Sequence, residues 1–201
     1  MKEHFQNLMD RDVKPFFKQH GYSAKGLDFH YEADTLVYKF NFQEAKANTV
    51  SLFSFYVNCS IHSTELAELQ SALPDGSLLE NKSHLTCRIR EIAPSAPDLY
   101  SFTKTADPVL LSQELVSHLE QGRAYLHTLT DARAIVDYYM AKTALHLSEE
   151  TFRFLLQTGD VETARQFWHQ LYAKYGAQKR WAIFETKYAA IWAEYGRQRS
   201  L

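Results

Sequence analysis

The chain has 201 residues, 22 basic against 24 acidic side chains, a formal charge of −2 and 45% hydrophobic residues. That composition supports a folded core and excludes an intrinsically disordered chain. The near-neutral balance argues against a polybasic membrane-surface protein and against a nucleic-acid partner. No segment approaches the ~18 uninterrupted apolar residues of a membrane span. The opening MKEHFQNLMDRDVKPFF lacks the apolar stretch of a secretory signal, so a cytoplasmic location is expected.

Two regions are expected, 1–130 and 131–201. All five prolines lie at or before Pro108, and all three tryptophans lie after it. The first region carries 12 basic and 16 acidic residues; the second carries 10 and 8, so the sign of the net charge changes between them.

The first predicted element is a helix. Phe5, Leu8, Met9, Val13, Phe16 and Phe17 recur at three- and four-residue spacing. Pro15 lies inside that stripe and should kink or split it, with Gly21 as the stop. Period-2 alternation follows. Leu27, Phe29 and Tyr31 alternate with polar neighbours, as do Leu36, Tyr38, Phe40 and Phe42. The same holds for Phe53, Phe55, Val57, Cys59 and Ile61, and for Leu85, Cys87 and Ile89. These read as four strands of an antiparallel sheet with one buried face, and Tyr100 and Phe102 add a short fifth. Residues Thr64–Leu73 read as a helical turn ended by Pro74-Asp75-Gly76. From Asp107, a good N-cap followed by Pro108, the pattern is helical. Stripes at Leu111–Leu129, Ile135–Leu145, Phe152–Leu156 (capped by Ser148), Val161–Tyr175 (capped by Asp160) and Trp181–Tyr195 (stopped by Gly196) follow. The reading is α+β: an antiparallel sheet of four or five strands packed on an N-terminal helix, then a C-terminal helical bundle.

Several stretches carry a family resemblance: Val13-Lys14-Pro15-Phe16, His20-Gly21-Tyr22, Tyr38-Lys39-Phe40-Asn41-Phe42-Gln43, Phe53-Ser54-Phe55-Tyr56-Val57-Asn58 and Cys87-Arg88-Ile89-Arg90-Glu91-Ile92. Together they resemble a bacterial family known as domain-of-unknown-function family 4304, over about the first 130 residues. The resemblance implies a small α+β domain and no assigned activity.

The alternation also singles out a surface. Opposite the apolar face stand Lys39, Asn41 and Gln43; Ser54, Tyr56, Asn58, Ser60 and His62; and Thr86, Arg88 and Arg90. Amide and guanidinium groups on strands about 4.8 Å apart can take a carboxylate, a phosphate or a polar protein surface. Asn41, Gln43, Tyr56, Asn58, Arg88 and Arg90 are the candidate ligand- or partner-binding residues. A solvated sheet face is the alternative. No catalytic residue, metal or cofactor is expected. There is no His-Glu-x-x-His, no Gly-x-Ser-x-Gly and no Gly-rich phosphate loop, although His30, His62 and His84 share the polar side of the pattern. Cys59 and Cys87 fall on core positions, where thiols are inert.

The 13 aromatic residues of 131–201 are most simply core; if some are exposed, Trp181, Trp192 and Tyr195 are interface candidates, rimmed by Arg180, Arg197 and Arg199. The functional expectation is a non-enzymatic binding module with a protein partner, an immunity-type protein being one form and a homodimer another. The alternative is an enzyme or anion-binding domain with Arg88, Arg90 and Asn58 in the site. A third reading, RNA or single-stranded DNA bound through the sheet with Tyr56 as a stacking platform, is opposed by the negative charge of 1–130.

Overall fold

The computed structural model describes residues 1–69 and 83–195. Pro74-Asp75-Gly76, Gly196, Arg197 and Arg199 lie outside them. In chain order the elements are α1 (Lys2–Leu8), a π-helical turn (Met9–Val13), α2 (Lys14–Gln19), β1 (Ser23–Lys25), β2 (Asp28–Ala33), β3 (Leu36–Glu44) and β4 (Phe53–Ser63). There follow α3 (Thr64–Glu68), β5 (Leu85–Arg88), α4 (Ile89–Ile92), β6 (Tyr100–Phe102), α5 (Pro108–Leu126), α6 (Ala132–Ala141), α7 (Ser148–Gln157), α8 (Val161–Tyr175) and α9 (Trp181–Glu194). The fold is α+β. No helix among the described residues is long and apolar enough to cross a membrane. The described residues form two compact units, 1–63 with 83–130 and 64–69 with 131–195.

In the first unit Pro15 does not end the helix, and the backbone stays right-handed helical through Val13 (φ −73°) and Lys14 (φ −61°). One turn upstream the winding loosens to a π turn, and the Lys14 N–H donates to the Met9 carbonyl five residues back. Pro15 lacks an N–H and crowds the preceding turn, and a π-bulge is one way a helix absorbs that. Gly21 (φ 78°) stops α2 in the left-handed conformation, and the Tyr22 N–H reaches back to the Phe17 carbonyl at 2.9 Å.

The sheet order is β1-β2-β3-β4-β5, antiparallel throughout, with β6 also paired to β4. Its inner face is the aromatic side of the alternation: Phe29, Tyr38, Phe40, Phe42, Phe55, Val57, Cys59 and Cys87 are all buried. The N-terminal helix covers it. Phe5 packs on Phe53 and Phe55 with ring centroids 4.7 and 5.0 Å away, and Phe17 stacks on Phe29 at 4.3 Å. Such aromatic pairs add about 0.5–1.5 kcal/mol each beyond the area they bury. Helix α5 also packs on this face, because Gly122 brings its backbone close to Phe40 and Ile89. Asp107 caps α5, accepting from the N–H groups of Val109 and Leu110.

Two local expectations are corrected. The strand of Leu85–Ile89 ends at Arg88, and Ile89–Ile92 is a helical turn. Arg88 is extended (φ −78°, ψ 150°), and its N–H donates to Glu91 Oε1 at 2.8 Å, which fixes the start of the turn. Ser148 does not cap α7 but is its buried first residue. The preceding Leu147 adopts the left-handed conformation (φ 61°), and Ser148 Oγ donates to the Leu145 carbonyl.

In the second unit α6 to α9 form the bundle, and Asp160 caps α8 by accepting from the Thr163 N–H. Phe152 lies at its centre, against Phe167, Tyr188 and Trp192. Trp181 and Trp192 are 4% and 1% exposed, so both are core and neither is presented as an interface residue; Tyr195 is half-buried. The helical spacing explains this, since each tryptophan falls on the stripe that meets neighbouring aromatics.

Candidate functional site

The outer face of the sheet is polar, and the register decides which of its groups meet. Asp28 is opposite Asn41, Asn41 opposite Asn58, and Asn58 opposite Arg88. One row of side chains therefore crosses four strands. It is joined end to end. Arg88 Nη1 donates to Asn58 Oδ1, Asn58 Nδ2 donates to Asn41 Oδ1 at 3.0 Å, and Asn41 Nδ2 donates to Asp28 Oδ1 at 2.8 Å. A guanidinium only donates and a carboxylate only accepts, so both amides are forced to point the same way. The ladder has a positive end at Arg88 and a negative end at Asp28.

Gln43 and Tyr56, opposite each other one row along, complete the positive end. Gln43 Oε1 accepts from Asn58 Nδ2 at 3.2 Å and from Arg88 Nη1 at 3.4 Å. The Arg88 guanidinium carbon lies 4.2 Å from the centre of the Tyr56 ring, a cation–π contact. One edge of the guanidinium is thus committed to Asn58 and Gln43, while Nε and Nη2 have no partner among the described residues.

A groove of about 430 Å³ opens at this end, lined by Arg88, Gln43, Tyr56 and Ser54, by the β3–β4 connection from Glu44 to Asn48 with Leu52, and by Leu99. The connection is pinned. Ser54 N donates to Asn48 Oδ1 at 2.6 Å, and Asn48 Nδ2 donates back to the Ser54 carbonyl at 3.0 Å.

Residues 13–149 match a family model described as a domain of unknown function, DUF4304. The chain belongs to the DUF4304 family. The match contains every ladder residue and extends beyond the 130 residues over which the resemblance is legible. No curated protein matches the chain, and no solved structure does.

Of the six candidate residues that sequence places on the polar face of this DUF4304 chain, five come together: Asn41, Gln43, Tyr56, Asn58 and Arg88. Arg90 does not. It lies on α4 rather than the sheet, and its Nη1 donates to Asp98 Oδ2 at 2.7 Å. Asp28, Lys46, Leu52 and Leu99 are additions that sequence reasoning missed. Asp28 stands in the alternation, but only the register joins it to Asn41.

The three histidines do not all converge: His30 stands opposite Ser23 and Lys39, away from the other two. His84 is buried with Nδ1 accepting from the Ser63 N–H at 2.9 Å, its ring 5.1 Å from that of His62. No group of three His, Cys, Asp or Glu among the described residues could hold a metal ion. Cys59 and Cys87 are cross-strand neighbours on the buried face. Burial, then the bond to Cys87, pushes the Cys59 thiol well above its usual range, which disfavours a thiolate nucleophile. A second polar cluster lies at the end of α5. Tyr22 Oη is 3.0 Å from His127 Nε2, His127 stacks on Tyr38 at 4.5 Å, and Arg123 holds Glu120 through two bonds of 2.6 and 3.0 Å.

Proposed function

We propose that this DUF4304 protein is a non-enzymatic interaction module and that its polar sheet face receives an anionic group of a protein partner, with Arg88 as the anchor. The observation that carries this reading is the half-committed guanidinium. The ladder and Gln43 hold one edge, Tyr56 supports the plane, and the Nε–Nη2 edge is available at an open groove. An arginine oriented in advance loses less freedom on binding than a solvated one. A toxin neutralised through this face is one concrete form of such a partner, by analogy alone.

The direct test is an NMR titration with acetate, following the arginine Nε–H signals. Arg88 is expected to shift, while Arg90, already held by Asp98, stays still. In parallel, proteins retained by the immobilised chain are compared with those retained by Arg88→Ala. Uniform arginine shifts together with identical retention by the variant would overturn the reading.

A further inference from the structure

We propose that the groove beside Arg88 binds a monocarboxylate carried on an apolar stem, the carboxylate on Arg88 and the stem on Leu52 and Leu99. This deepens the reading of Arg88 as an anchor and rests on it. Four observations lead there. The free Nε–Nη2 edge is a planar two-donor fork, the geometry that matches a carboxylate bidentately. The charged residues lining the groove are Arg88, Lys46 and Glu44, which leave a single net positive charge. One negative charge is balanced there, whereas a phosphate dianion would also face the Glu44 carboxylate. Leu52 and Leu99, each 36% exposed, give the lining an apolar part beside the fork. Finally, the wall is preformed. Besides the reciprocal Asn48–Ser54 pair, the Thr49 N–H donates to the Leu52 carbonyl at 2.8 Å and the Leu52 N–H to Thr49 Oγ1 at 3.1 Å. The volume lies in the range of small-ligand sites, roughly 300–1,000 Å³.

The chemistry has two sources, the carboxyl terminus of a polypeptide and a free organic acid. The experiment separates them by titrating the ¹⁵N-labelled full chain with four probes: acetate, 3-phenylpropanoate, the peptide acid N-acetyl-Gly-Leu-Phe, and the same peptide as its carboxamide. Both apolar acids are expected to shift the Arg88 Nε–H and the backbone amides of Ala45, Ala47 and Leu99. The carboxamide should bind at least about tenfold more weakly, because it loses the charge-assisted bonds. Leu99→Asn should weaken phenylpropanoate and leave acetate unchanged. The tighter of peptide acid and phenylpropanoate identifies the source. If peptide acid and carboxamide bind alike, or the apolar acids shift the groove no more than acetate does, the groove assignment is wrong while the Arg88 anchor survives. If acetate too leaves Arg88 unmoved, both readings fall.

Discussion

The polarity of the cross-strand ladder makes an unusual demand on its central residue. Asn58→Asp places a carboxylate against Arg88, an apparent improvement. Yet the new group cannot donate, so the bonds to Asn41 at 3.0 Å and Gln43 at 3.2 Å are lost. Asn41 must then turn its oxygen toward one carboxylate or the other, because Asp28 waits at its far side. Each lost bond at a half-exposed position is worth about 0.5–1 kcal/mol. The gained exposed ion pair returns about 0.2–1 kcal/mol. The net expectation is a loss of about 1 kcal/mol despite the added attraction. Asp28→Asn alone weakens one charge-assisted bond, by about 0.5 kcal/mol. Together the two changes let the ladder reverse. The position-28 amide donates to Asn41, Asn41 donates to the new carboxylate, and Arg88 donates to it from the other side. The double variant should therefore sit about 1 kcal/mol above the sum of the single losses. The assay is native-state hydrogen exchange of β3 and β4 amides across a urea series. Tryptophan fluorescence is a poor substitute, since Trp168, Trp181 and Trp192 all belong to the second unit. Strictly additive losses would refute the directional ladder.

Further expectations follow from single positions. Gly122→Ala should raise stability by about 0.5–1 kcal/mol, because a Cβ there meets Ile89 and Phe40 at 3.5 Å, ordinary contact distance, and removes a helix-interior glycine; a urea midpoint that falls would show the site is overpacked. Cys59 and Cys87 should resist a thiol reagent in the native protein and react only on unfolding; prompt native labelling would remove the argument for inert thiols. Burial, then Arg123 and His20, holds His127 below the usual imidazole value, so its charged form is disfavoured in the fold. The unfolded chain takes up that proton first, and stability should fall as the pH drops from about 7 through about 6.5 and below. His127→Gln should flatten that slope in a pH series of urea midpoints, and an unchanged slope would assign it to other groups.

The sheet was legible because its inner face is written in aromatics at a spacing of two. Phe29, Phe40, Phe42, Phe53 and Phe55 are buried where alternation puts them. β1 was not legible, since Ser23–Lys25 is exposed on every residue and carries no apolar period; it is a strand because it pairs with β2 across the Gly26-Leu27 turn. Arg90 reads as a sheet residue because Leu85, Cys87 and Ile89 continue the alternation into α4. The competing signals were Glu91, three residues after Arg88, and the three-residue spacing of Ile89 and Ile92, both helical. Adjacency within the site lay beyond any local pattern. Asn41, Asn58 and Arg88 are 17 and 30 residues apart in sequence, and only the pairing of three strands makes them a row.

Arg88 holds the end of the ladder and also presents a free edge, and one substitution separates these roles. Arg88→Lys keeps a cation that can still donate to Asn58, so the sheet should lose no more than about 0.5 kcal/mol, judged by the same exchange experiment. It removes the planar fork and weakens the contact with Tyr56, so the affinity for 3-phenylpropanoate should fall about tenfold or more. Arg88→Ala should lose both, because Asn58 Oδ1 is then left to water and Gln43 Oε1 keeps only its bond from Asn58 Nδ2. The informative quantity is the difference between the two variants. If lysine destabilises β4 and β5 as much as alanine does, and binding falls only in step with stability, Arg88 is a structural strut and the face is not a recognition surface. If lysine preserves the sheet and loses the ligand, the guanidinium geometry itself is what the ladder is built to hold.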